Sequence, residues 1–161
     1  MAVSLASVAF WAPVTLALVG DDHQAEVIKF RARFKRLKKS ERKALDMRLD
    51  VPRIGEAQRK EIEKRIADPM TLPTDRVDLQ AQLVAKPISD AEFLNELLVD
   101  WDWKDRNGTV LHYSLAERAD LEEDLDGLEL ALIKAYFNAK RESLTPEAIA
   151  KNSEAQLATT S

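Results

Sequence analysis

The sequence predicts an α+β fold: an N-terminal antiparallel β-hairpin or small sheet followed by a mainly helical domain. Three observations carry this expectation. Ile28, Phe30, Ala32 and Phe34 alternate strictly with Lys29, Arg31, Arg33 and Lys35, the period of a strand with one dry and one wet face. Farther along, Leu128, Leu132, Ile133, Tyr136 and Phe137 recur at three and four, which is the apolar stripe of an amphipathic helix. Ser89 with Glu92, and Ser114 with Glu117, have the spacing at which a hydroxyl and a carboxylate satisfy free N–H groups at a helix start.

Taken in order, residues 1–19 contain no charged side chain. No Lys or Arg precedes this apolar run, Pro13 interrupts it, and Ser4, Ser7 and Thr15 thin it, so a pair of buried strands is expected there and not a targeting or membrane segment. Val14 to Val19 is β-branched and apolar, Gly20-Asp21-Asp22 is a turn cluster, and Ile28 to Lys35 is the returning strand. Ala2 to Phe10 is the expected third strand, because a lone hairpin is marginal in water. Ser40 is expected to cap a helix carrying Ala44, Leu45 and Leu49 that Pro52 and Gly55 end. Glu56 to Ala67 reads as a surface helix, with Ala57, Ile62 and Ile66 its apolar positions, and Asp68-Pro69 and Leu72-Pro73 punctuate a loop. Arg76 to Ala85 fits both periods, since Val77, Leu79, Ala81 and Leu83 are two apart while Leu79, Leu83 and Val84 have helical spacing. Both assignments stay open there, and Pro87 closes the segment.

The helix capped at Ser89 should run through Phe93, Leu94, Leu97 and Leu98. Trp101 and Trp103 follow, two apart and therefore on one face of extended backbone, with Asp100 and Asp102 on the other. One indole is expected in the core and one at an interface, since tryptophan is enriched in both. Asn107-Gly108 predicts a tight hairpin of type I′, which needs positive φ at both positions. A helix beginning near Leu115 should break at Gly127 before the Leu128 stripe, and Thr145-Pro146-Glu147 should open a short terminal helix. The expected organisation is one domain over 1–152, β-rich over 1–38 and helical over 39–152, with a frayed tail over 153–161.

Composition excludes several functions. With 161 residues the chain can bury one core. It has no cysteine and two histidines, which removes thiolate chemistry, cysteine zinc sites and a multi-histidine metal centre. A calcium loop with Gly108 at its sixth position would put Trp103 first and Ser114 last, where carboxylate ligands are required. The carboxylates of 117–129 stand on a helix without an accompanying histidine and complement its dipole. No catalytic residue, metal ligand or cofactor is therefore expected, and the chain does not read as an enzyme. The balance of 24 basic against 28 acidic residues argues against a dedicated nucleic-acid protein. It conceals strong segregation, with nine basic residues and one acidic from Lys29 to Lys43, and seven acidic and one basic from Glu117 to Glu129. Phe30 and Phe34 lie on the strand face opposite the arginines, so they cannot form a stacking platform beside the charges. A solvated face or one docking onto an acidic partner is the preferred reading, and a small cytoplasmic nucleic-acid-binding regulator using 29–43 is the alternative.

One order of parts has a known parallel. A helix, a loop with Trp101, the Asn107-Gly108 turn, Tyr113-Ser114, a helix, and then Ala131-Leu132-Ile133-Lys134-Ala135-Tyr136 resemble the tail assembly chaperones of long-tailed, siphovirus-type bacteriophages and prophages. Phe30 to Leu37, ending in Phe34-Lys35-Arg36-Leu37, is similar to that family's strand before a helix. The resemblance implies a non-enzymatic assembly factor in the host bacterial cytoplasm, absent from the mature virion. Its partners would be the tape measure protein, a long and largely helical rod, and the tail tube protein. Partner-binding residues are then expected at Trp101, Trp103 and Tyr113, on the basic face at Lys29, Arg31, Arg33 and Lys35, and on the acidic helix at Glu122, Glu123 and Asp124. Opposite charges on different faces also predict head-to-tail self-association into a ring or spiral, with no membrane partner. The family commonly makes a second, longer product by a minus-one ribosomal slip, and Ala150-Lys151-Asn152 can be encoded with a suitable A-AAA-AAC heptamer.

Overall fold

A computed structural model of the chain describes residues 8–142. Among these residues the order is β1 (Ala9–Val19), β2 (Ala25–Lys35), α1 (Lys39–Asp50), α2 (Glu56–Ala67), α3 (Pro73–Val84), α4 (Asp90–Leu97), β3 (Leu98–Trp101), α5 (Leu115–Asp124) and α6 (Leu128–Glu142), with a 3₁₀ turn at Val51–Arg53. The fold is α+β, with one antiparallel sheet in the order β1-β2-β3. The described residues pack as two compact units. Among the described residues the first joins 8–36 with 90–142, and the second is the insertion of residues 37–89. The cause is β3, which returns to the sheet and brings the following helices with it.

In the first unit, β1 and β2 pair over their whole length, Phe10 opposite Phe34, Ala12 opposite Ala32, Val14 opposite Phe30 and Leu16 opposite Ile28. Strand alternation puts all of these on one face, which supplies most of the sheet's buried residues. α6 covers it with Leu128, Leu132, Ala135 and Tyr136, and α4 adds Phe93, Leu94 and Leu97. Tyr136 is the pivot of this core, its ring edge-on to Phe34 at 5.3 Å and to Phe93 at 5.2 Å. Such tilted contacts suit the quadrupoles of the rings. Gly127 separates α5 from α6 at φ +86°, and a Cβ there would stand 3.8 Å from Leu16 Cδ1. The conformation, not the space, is what calls for glycine.

Among the described residues the third strand comes from elsewhere than the expected Ala2 to Phe10 segment. Ala9 and Phe10 belong to β1, one continuous strand through Pro13, and residues 1–7 lie outside the described residues. β1 is an edge strand, where proline's missing N–H is tolerated. β3 fills the third position, and a register shift against β2 puts Leu98 opposite Phe34 and Asp100 opposite Arg33. Leu98 and Trp101 are three apart, an odd spacing that would face them oppositely in a regular strand. The irregularity turns both inward, and both are buried. α4 therefore ends at Leu97, one residue before the expected helix.

Both hairpin connections close by the same device. Gly20 N–H donates to Gln24 O at 2.8 Å and His23 N–H to Gly20 O at 3.0 Å, with His23 at φ +61°. Asp105 N–H donates to Thr109 O at 2.9 Å and Gly108 N–H to Asp105 O at 3.0 Å, with Gly108 at φ +81°. Each is a three-residue loop whose last residue is left-handed, so the expected type I′ turn at Asn107-Gly108 is corrected. Asn107 keeps an ordinary φ because Asp105 Oδ1 accepts its N–H at 2.8 Å and that of Thr109 at 2.9 Å, which organises the loop from the preceding residue.

The second unit is helical and thinly cored. Among the described residues Leu45, Ile62 and Leu79, one from each of α1, α2 and α3, are its buried apolar side chains. Lys43 Nζ meets Asp78 Oδ2 at 2.7 Å, and Arg48 Nε donates to Lys86 O at 3.2 Å. α1 starts one residue before Ser40, which lies inside the helix instead of capping it. Glu41 Oε2 accepts the Lys38 N–H at 2.9 Å, and the glutamate takes the capping work the serine was given. The ambiguous Arg76–Ala85 segment is helical as far as Val84, with Ala85 its extended C-cap, and the helix is entered through Leu72 with Pro73 in its first turn. The expected Thr145 helix, the 153–161 tail and the Ala150–Asn152 slip position lie outside the described residues.

Candidate functional site

Strand alternation gives the sheet a second, outward face. β1 contributes Trp11, Pro13 and Thr15, and β2 contributes Lys29, Arg31, Arg33 and Lys35. Trp11 stands opposite Arg33 and remains 40% exposed. The Arg31 guanidinium carbon lies 5.1 Å from the indole centroid and that of Arg33 5.9 Å. Both distances are within the reach of cation–π attraction. Arg31 is further fixed by Asp102, whose Oδ2 meets Nε at 2.6 Å and whose Oδ1 accepts the Arg31 backbone N–H at 2.6 Å. Asp102 N–H donates back to Arg31 O at 3.0 Å. A shallow groove runs beside this ladder between Pro13, Thr15, Lys29, Arg31, Asp102 and Lys104. The result is an exposed aromatic ring under two guanidiniums on a mainly cationic sheet surface.

The basic residues expected at the site, Lys29, Arg31, Arg33 and Lys35, are thus brought onto one face. Phe30 and Phe34 are buried on the other. Trp11 was missed. Its neighbours Phe10 and Ala12 face inward, so alternation could have assigned it outward, but its pairing with Arg33 follows only from the register.

Trp101 and Trp103 both belong to the core, at 3% and 4% exposure, and the expected division into one core and one interface indole is corrected. The reason is their shared face. Trp103 stacks on Phe30 at 4.4 Å with the planes 5° apart, and Trp101 meets Phe30 edge-on at 6.1 Å. Trp101 Nε1 donates to Leu111 O at 2.6 Å, which satisfies the buried N–H. Tyr113 is half-buried with its ring edge-on to Trp101 at 4.9 Å.

The acidic helix divides in two. Ser114 Oγ accepts the Glu117 N–H at 3.0 Å and starts α5 as expected. Asp120, Glu123 and Asp124 are exposed, whereas Glu122 turns toward Arg118, the buried charged residue of the described chain. Arg118 Nε lies 3.1 Å from Glu122 Oε1 without hydrogen-bond alignment. The guanidinium also donates to Tyr113 Oη at 3.4 Å and to Asn95 Oδ1 on α4. Loss of water around Glu122 raises its pKa above the usual carboxylate value, Arg118 partly offsets this, and Glu129 adds to it. Burial likewise raises the Tyr113 phenol, again partly opposed by Arg118. Glu122 therefore pairs within α5, Arg118 ties the helix to α4 through Asn95, and Glu123 and Asp124 carry the outward charge.

Among the described residues no group of three His, Cys, Asp or Glu side chains is arranged to hold a metal ion, and no helix is long and apolar enough to cross a membrane. No family model, curated protein or solved structure matches the chain.

Proposed function

We propose that this chain is a non-enzymatic tail assembly chaperone of a long-tailed phage or prophage. It binds the tape measure protein in the host cytoplasm, helps recruit tail tube subunits, self-associates, and is left out of the mature virion. The observation that carries the reading is that the parts of the resemblance cohere physically. Trp101 packs on Tyr113, Ser114 caps α5, and Tyr136 of the Ala131–Tyr136 segment packs on Phe34 of the Phe34–Leu37 segment. The two separated matches thus meet in one core.

A client with bare apolar helical stripes needs apolar surface with a charged rim. α3 offers Val77 and Val84, one heptad apart and 64% and 77% exposed, with Met70 and Leu72 exposed ahead of it. Asp75, Arg76 and Asp78 supply charge beside them. Co-expression with the tape measure protein encoded in the same gene cluster tests the proposal. The client should become soluble and copurify, and Val77→Asp with Val84→Asp should lower its recovery severalfold. A client that is equally insoluble with and without the chain would contradict it.

The alternative, a nucleic-acid-binding regulator using 29–43, is favoured by one specific observation, the presence of Trp11 on the basic face. Binding of duplex or single strands at micromolar affinity near physiological salt, falling steeply with added salt, would favour it over the chaperone.

A further inference from the structure

We infer that the Trp11–Arg31–Arg33 face of the sheet is a docking surface for the exposed acidic side of α5 on a second copy of this chain. The inference rests on the self-association that the proposed function includes, and names the surfaces that make it. Within the first unit the two faces cannot meet. α4 and α6 cover the inner face of the sheet, α5 is tied to this helical layer through Arg118 and Asn95 and through its packing on α6, and the cationic ladder lies on the outer face. Complementary charge on opposite sides of one unit pairs only between molecules, and the contact is head-to-tail.

The chemistry of the two faces matches. Arginine stacked on an indole is held in place and presents its N–H edge outward, the geometry that grips carboxylates. Asp120, Glu123 and Asp124 are exposed carboxylates within five residues of α5. Tryptophan and arginine are also the side chains that most often dominate binding energy at interfaces. One feature favours this occupant over a nucleic acid. Two guanidiniums already lie over the Trp11 ring where a base would stack.

Analytical ultracentrifugation of complementary variants tests this without any client. Wild type should associate with increasing concentration at about 0.1 M salt and dissociate at about 1 M, as the Debye length falls from roughly 10 Å to 3 Å. Arg33→Glu, with its acidic helix intact, and the double variant Glu123→Arg with Asp124→Arg, with its sheet intact, should each sediment as monomers. Mixed in equal amounts they should give a species of two chains and nothing larger, because one good contact forms and neither end can extend. Trp11→Ala should weaken association by about tenfold or more at unchanged charge. Circular dichroism verifies folding, and Lys29→Glu replaces Arg33→Glu if that variant unfolds. Wild type that is monomeric throughout at low salt would overturn the inference. So would a mixture that stays monomeric, or single variants that assemble like wild type. Micromolar binding of a fluorescein-labelled single-stranded oligonucleotide, abolished by Arg33→Glu, would assign the face to nucleic acid instead. Failure here with retained client solubilisation leaves the chaperone standing, and the reverse leaves the interface standing.

Discussion

His23 holds the only left-handed non-glycine backbone among the described residues, at φ +61°. The equivalent place in the second hairpin loop is Gly108. A left-handed L-residue costs roughly 1–2 kcal/mol, and the extra unfolded-state freedom of glycine returns only part of it. His23→Gly should therefore stabilise the chain by about 0.5–1 kcal/mol, raising the thermal midpoint by a few degrees. A lowered midpoint would show that the imidazole makes a contact worth more than the strain. Glu122 makes a different point about single residues. Its pKa is raised in the folded state by burial, so the folded state holds the proton more tightly than the unfolded state. Stability from this group is fully present below the unfolded value and is lost as pH rises through the folded one. Glu122→Gln should match wild type in the acid range and become relatively more stable toward neutral pH. Denaturant titrations of both proteins across that range measure the difference. A variant that loses ground to wild type as pH rises would mean that Arg118 outweighs the cost of burial.

Packing is uneven across the elements. Phe34 is fully buried beneath Tyr136 at the centre of the β1, β2 and α6 core, and Phe34→Ala should cost about 3–5 kcal/mol. The insertion buries a single large side chain per helix, so amides of α1, α2 and α3 should exchange faster than those of β2 and α6. Equal protection in both units would contradict this account of the core. The same unevenness explains what the sequence disclosed. β2, α2, α5 and α6 were legible because a single period, a single cap or a single glycine decides each. Arg76–Ala85 was not, since two periods fit it and only Leu79 of α3 is buried, leaving little apolar pattern to choose between them. β3 hid behind α4 because its inward residues, Leu98 and Trp101, violate strand alternation through a register irregularity. At the candidate site, the cations of β2 could be read from alternation alone. Trp11 needed the pairing of β1 with β2, and the inward turn of Glu122 needed the place of Arg118 between α4 and α5.

At the scale of the whole molecule, a modest net charge of −4 conceals two surfaces of opposite sign and an apolar one. Each has its own proposed use: the sheet face and α5 for a second copy, and α3 for a helical client. Hydrogen exchange separates these uses directly. The chain is measured alone and saturated with a tape measure segment, with salt held at about 1 M so that charge pairing between copies is screened. Exchange of the α3 amides should slow on client binding, while β1 and β2 remain unchanged. No slowing anywhere, or slowing confined to the Trp11 face, would contradict the assignment of α3 to the client.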